Sequence, residues 1–120
     1  MKVMNYNSDF RFDLALGQLT EKQVGDIFSN DKIEVKDESA KSRTTGNVFI
    51  EFESRNKPSG IATTQADKWC FKLSEGCFLF VSVHNIKSIS REILKEKGFV
   101  KGGDNNTSKG VLVPIIKLIY

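Results

Sequence analysis

Histidine occurs once, at His84, and cysteine twice, at Cys70 and Cys77, in a chain of 120 residues. So few ligands at such spacing argue against a structural zinc site and against a histidine-based catalytic triad. Each cysteine stands in apolar company, Trp69-Cys70-Phe71 and Gly76-Cys77-Phe78, which predicts buried, reduced thiols. No apolar run approaches the length that spans a bilayer, and the opening MKVMNYNSDF lacks the apolar centre of a secretory signal. No membrane partner is expected, and the expected location is cytoplasmic. Internal repeats, low-complexity tracts and linker-like composition are also missing, so one domain over 1–120 is expected. That length suits a single modest core.

Charge is present in both signs but unevenly placed. Residues 1–86 carry 11 Lys/Arg against 12 Asp/Glu, whereas residues 87–120 carry 7 against 3, for a net charge of +3. A basic C-terminal third suits a phosphate-backbone partner. The 39% hydrophobic and 28% charged fractions are those of a globular chain.

Phe10, Phe12, Leu14 and Leu16 alternate with polar or small residues, the period of a half-buried strand, with a helical reading also open. Thr20 is placed to cap a helix to about Ser29, whose buried stripe would be Val24, Ile27 and Phe28. KIEVKDE (Lys32–Glu38) and NVFIEFE (Asn47–Glu53) read as strands. An antiparallel hairpin is the simplest connection between them. After the turn Lys57-Pro58-Ser59-Gly60, Thr63 or Thr64 could cap a second helix over QADKWCFKL. CFLFVSV (Cys77–Val83) reads as a strand buried on both faces. Ser90 opens a third helix ended by Gly98, and Val111–Ile119 forms a last strand. The fold class is α/β, a mixed sheet flanked by helices.

Alternation along the two strands of the hairpin sets the candidate site. Ile33 and Val35 point to one face, so Glu34 and Lys36 share the other; Val48, Ile50 and Phe52 leave Phe49, Glu51 and Glu53 opposite. If the apolar faces share one core, Glu34, Lys36, Glu51 and Glu53 come together. Carboxylates hold hard cations through oxygen, and a lysine among them can stabilise charge growing on a phosphoryl group. The same pattern also describes a solvated hairpin face with cross-strand ion pairs. On the first helix, Glu21 projects near the apolar stripe and Asp26 away from it.

The segments FDLALGQLTEKQ, IEVKDE, TGNVFIEFESR and KPSGIATTQADKW, in that order, resemble small phage-type nucleases of the PD-(D/E)xK superfamily, which includes Holliday-junction resolvases and restriction endonucleases. The stretch GGDNNTSKGVLVP extends the resemblance. It implies a restriction-endonuclease-like mixed sheet with an α-β-β-β-α-β core, Mg²⁺ or Mn²⁺ as cofactor, and DNA as substrate, with a homodimer as one setting. Glu34 and Lys36 match the (D/E)xK element, and Glu21 the helix glutamate of part of the superfamily. No Pro-Asp precedes the motif, and Asp26 is the only well-spaced upstream candidate. The expected catalytic set is Glu21, Glu34, Lys36 and Glu51, with the three glutamates holding metal. Asp26, or Glu34 followed by Glu51-Phe52-Glu53, are alternatives.

Ser59, Thr63 and Thr64 in the PSGIATT segment, with Lys57 nearby, suit phosphate contact if the amides at a helix start are exposed. Lys41, Arg43, Lys101 and Lys109 are further candidates for DNA contact. The activity expected is a metal-dependent endodeoxyribonuclease, selective for DNA structure as a junction resolvase is. A catalytically inactive DNA-binding accessory protein with the same fold is the alternative. Trp69 is expected in the core.

Overall fold

A computed structural model describes residues 6–120, with side-chain surroundings from residue 13 onward except for Lys41. The chain forms two compact units, residues 1–31 and 32–120. In the first, one helix, α1, runs over Tyr6–Ser29. The alternation at Phe10–Leu16 is therefore not a strand but a helix, the other reading open to it: Arg11, Leu14, Ala15 and Leu16 are good helix formers, and a four-residue alternation is too short to outweigh them. The side chains of Phe10 and Phe12 lie outside the description. Thr20 does not cap; its hydroxyl donates to the Leu16 carbonyl at 2.9 Å, inside the helix. The expected buried stripe is also corrected, since Val24 is 48% and Phe28 78% exposed.

The second unit is α/β. Its strands are β1 (Ile33–Asp37), β2 (Asn47–Ser54), β3 (Lys57–Pro58), β4 (Lys68–Ser74), β5 (Cys77–Ser82), β6 (Val100–Gly102) and β7 (Ser108–Pro114). Helices α2 (Ser39–Thr45), α3 (Val83–Lys97) and α4 (Ile115–Ile119) and a 3-10 turn at Gly60–Ala62 connect them. Two sheets result. One is mixed, in the order β1-β4-β5 with β1 parallel to β4; the other is antiparallel, in the order β3-β2-β7-β6. β1 and β2 do not form a hairpin: the polar stretch between them folds as α2 and delivers the two strands to different sheets.

The expected second helix is a strand. Trp69 and Phe71 alternate with Lys68, Cys70 and Lys72, and this two-residue period puts Trp69 and Phe71 into the core at 1% and 0% exposure. A two-residue turn, Glu75-Gly76, with Gly76 at φ 73°, returns the chain into β5. β5 buries only Val81 fully, so it is not covered on both faces, and Cys77 is exposed while Cys70 is buried. Helix α3 begins earlier than expected: Ser82 caps it by accepting from the Asn85 N–H at 3.2 Å, and Val83, Ile86 and Ile93 form its buried stripe. Gly98 closes it. The last apolar segment divides at Pro114, which ends β7 and starts α4.

Both sheets and α3 contribute to one core, with Trp69, Phe71 and Val81 from the first sheet, Val48, Ile50, Val111 and Val113 from the second, Ile86 and Ile93 from α3, and Ile61 from the 3-10 turn. No helix among the described residues is long and apolar enough to cross a membrane.

Candidate functional site

β1 is an edge strand whose parallel register sets Glu34 beside Trp69 and Lys36 beside Phe71. Paired residues of adjacent strands share a face, so Glu34 and Lys36 lie on the side of the sheet that carries the core aromatics. Val35 takes the opposite face and is 66% exposed, which corrects the expectation that Ile33 and Val35 are buried behind the site. At this rim Lys36 Nζ meets Glu34 Oε2 at 2.6 Å, both side chains about one-third exposed, and lies 4.7 Å from the centre of the Trp69 ring. The Thr64 hydroxyl donates to Glu34 Oε1 at 3.0 Å and accepts from Trp69 Nε1 at 3.1 Å and from the Ala66 N–H at 3.2 Å. Glu34 is thus fixed from one side by a lysine and from the other by a hydroxyl that the buried tryptophan orients.

Glu51, on β2, accepts from the Ser59 hydroxyl at 2.9 Å. Gly60 (φ 54°) lies against the Glu51 backbone so closely that a β-carbon there would overlap the Glu51 carbonyl oxygen. The segment 59–64 therefore holds one carboxylate at each end, Glu51 through Ser59 and Glu34 through Thr64. Three of its amides are used internally: Ala62 N–H bonds the Ser59 carbonyl, and Thr63 and Thr64 N–H bond the Gly60 carbonyl, while Ser59 N–H bonds the Phe52 carbonyl on β2. No α-helix starts at Thr63 or Thr64; the chain makes only the 3-10 turn at Gly60–Ala62, and the amides of Ala62, Thr63 and Thr64 are turned inward. The Thr63 hydroxyl is likewise turned back, 3.5 Å from the Gly60 carbonyl.

Glu53 leaves the acidic face. Glu51 pairs with Gly110 and Glu53 with Lys109, so a bulge inserts Phe52 between them. Successive β7 residues point to opposite faces, which sets the two glutamates apart. Glu53 is instead ion-paired to Lys109 at 3.2 Å, and Lys109 lies 5.0 Å from the centre of the Phe99 ring. Glu51 lines a shallow cavity of about 340 Å³ with Ser54, Arg55, Asp104, Thr107 and Ser108, whose lining does not include Glu34 or Lys36.

Glu21 and Asp26 belong to the helical unit. Glu21 is exposed, whereas Asp26 is the more enclosed, paired with Lys22 and with the Asn30 amide, both at 2.9 Å; this reverses their expected burial. Of the basic candidates, Arg43 in the last turn of α2, Lys57 on β3 and Lys101 on β6 are exposed. The Lys41 side chain lies outside the description.

Scans against protein-family models, curated proteins and solved structures each return no match. The chemistry of the site therefore rests on its own atoms. Among the described residues, no group of three or more His, Cys, Asp or Glu side chains converges to hold a metal ion. The donor type nevertheless fits a hard cation. Mg²⁺ is commonly held by one or two carboxylates and keeps several waters. An ionised carboxylate has about four lone-pair positions, and hydrogen bonds and ion pairs of the described residues use two on Glu34 and one on Glu51.

Sequence reading did not identify Trp69 as part of the site, because its core role and its hold on Thr64 and Lys36 come from the same strand register. Asp104, beside Glu51 in the shallow cavity, lies in the GGDNNTSKGVLVP stretch, but the resemblance assigns that stretch no acidic role.

Proposed function

We propose that the chain is a metal-dependent endodeoxyribonuclease that hydrolyses DNA phosphodiester bonds, with structure-selective cleavage of the junction-resolvase kind. The observation that carries this reading is the 59–64 segment: its Thr64 hydroxyl holds Glu34, already paired with Lys36, and its Ser59 hydroxyl holds Glu51. The resemblance in IEVK, IEFE and PSGI involves the same residues. In this reading Glu34 and Glu51 are oxygen donors to Mg²⁺ or Mn²⁺. The bound cation would supply charge stabilisation at the scissile phosphate and a more acidic water. Lys36, on a short tether beside Glu34, is the group that meets negative charge growing on the phosphoryl oxygens. The exposed Arg43, Lys57 and Lys101 supply contacts to the DNA backbone.

A second reading is supported by a specific observation. Glu34 and Lys36 neutralise one another at 2.6 Å, and no third carboxylate converges on them among the described residues, as suits an inactive DNA-binding accessory protein. Incubation of the purified chain with labelled duplex, single-stranded and four-way-junction DNA, in Mg²⁺ and in EDTA, separates the two. Cleavage in Mg²⁺ that EDTA abolishes is the expected result; retention of DNA without cleavage in either buffer supports the accessory reading.

A further inference from the structure

A second cavity, of about 280 Å³, opens between α3 and the sheet that carries β2 and β7. Ile50, Phe52, Ile61, Leu94 and Val111 form its apolar walls. Set into them is the Ser90 hydroxyl, on a residue only 8% exposed, with no hydrogen-bond partner among the described residues. A helical serine ordinarily returns its hydroxyl to the carbonyl four residues back. A buried hydroxyl left unsatisfied is costly, and an occupant with a nitrogen or oxygen at that point would relieve it. Lys87 and Arg91, one helical turn apart, also line the cavity, and no carboxylate does. Ile61 and Ala62 in the lining belong to the 3-10 turn within the 59–64 segment that carries Ser59 and Thr64.

We infer that this cavity receives one unpaired base of a DNA substrate, with the phosphate beside that base held by Lys87 and Arg91. The inference rests on the DNA-directed function proposed above and adds to it a preference for DNA carrying an unpaired nucleotide. One occupant then satisfies each feature. The base stacks on Phe52, as bases do on aromatic side chains of single-strand binders; an edge atom meets Ser90, and the phosphate meets the two cations. The volume lies just below the range of drug-sized sites, about 300–1,000 Å³, and suits a single base. An apolar peptide side chain would leave both Ser90 and the cations without partners.

The test uses the full chain in EDTA and three DNAs of one sequence: a duplex with a single bulged 2-aminopurine, the same bulge lacking its base, and the fully paired duplex. Affinity is read by anisotropy and base insertion by 2-aminopurine emission. The base-bearing bulge is expected to bind about ten-fold or more tightly than the abasic one, with a change in emission. Ala62→Phe, at an exposed position of the lining, should fill the mouth and remove that preference. Arg91→Glu, also exposed, should weaken both bulged DNAs. Equal affinity for base-bearing and abasic bulges, a preference that survives Ala62→Phe, or no DNA binding would overturn the inference. Cleavage assays with Mg²⁺ keep the two readings apart: base preference without cleavage retains the cavity assignment and removes the nuclease reading, whereas cleavage without base preference does the reverse.

Discussion

The Thr64 hydroxyl joins the fold to the candidate chemistry, since it donates to Glu34 and accepts from the indole N–H of a tryptophan that is 1% exposed. Thr64→Val keeps the shape and removes both of these bonds and the one accepted from the Ala66 N–H, leaving a buried indole N–H unpaired. The expected loss is about 1–3 kcal/mol of stability, read by urea unfolding on the emission of Trp69, the only tryptophan. Thr64→Ser should recover most of it; a valine variant as stable as the parent would remove Thr64 from this role. For the carboxylate and the lysine the readout is cleavage. Glu34→Ala and Lys36→Ala are each expected to lower it by about 10²–10³-fold, the size of losing one group that stabilises transition-state charge. In metal-free buffer their effects on DNA binding should diverge: removing Glu34 lessens repulsion of phosphate, and removing Lys36 loses an attraction. Full activity in Glu34→Ala would end the nuclease assignment. Glu51→Ala against Asp26→Ala then decides between the two acidic sets. At this scale Glu34, Lys36 and Glu51 could be singled out from alternation and motif, but the bond to Thr64 could not, since it spans 30 residues and depends on β4 lying beside β1.

Among the elements, the 59–64 segment depends on backbone that only glycine adopts readily. Gly60 has φ 54° and lies against the Glu51 carbonyl, so Gly60→Ala meets both an unfavourable dihedral and a steric overlap. A loss of about 1–3 kcal/mol or more is expected in thermal or urea unfolding, together with loss of cleavage because Ser59 and Thr64 move. An alanine variant with wild-type stability and activity would show that the turn does not set the site. At the start of α2, Asp37 Oδ1 accepts from the Ser39 N–H at 3.0 Å and from its hydroxyl at 2.6 Å. These bonds, the hydroxyl's first, hold the Asp37 carboxyl below its ordinary value. A lowered folded pKa means that the stabilisation is present above the unfolded pKa and is lost as pH falls through the folded one. The Ser39 amide resonance should therefore shift late in an acid titration, and Asp37→Asn should remove that step. The elements that sequence reading placed well were those with local signals, such as β2, β5 and the Gly98 stop. It missed β4 and the start of α3 where a capping residue was sought at Thr64 or Ser90. In β4 the alternation of Trp69 and Phe71 with lysines outweighed the cap signal, and in α3 the true cap, Ser82, sat inside an apolar run that read as strand.

For the whole molecule, the asymmetry of charge makes salt the discriminating variable. Seven of the 18 Lys/Arg lie in residues 87–120, and each one that neutralises a phosphate adds about −0.9 to the slope of log affinity against log salt on duplex DNA. Lys101→Ala, at an exposed position on β6, should reduce the steepness by about one contact. Lys109 behaves differently because Glu53 occupies it at 3.2 Å. Glu53→Ala releases that cation, so DNA affinity at low salt should rise and the slope should steepen, with cleavage retained. Under the alternative assignment, in which Glu51-Phe52-Glu53 carries the second catalytic element, the same substitution should abolish cleavage. The bulge at Phe52 favours the first outcome, since it turns Glu53 off the face that Glu51 keeps and into the pair with Lys109. A Glu53→Ala protein that binds more tightly yet no longer cleaves would transfer the catalytic assignment to Glu53 and show that Lys109 is its restraint.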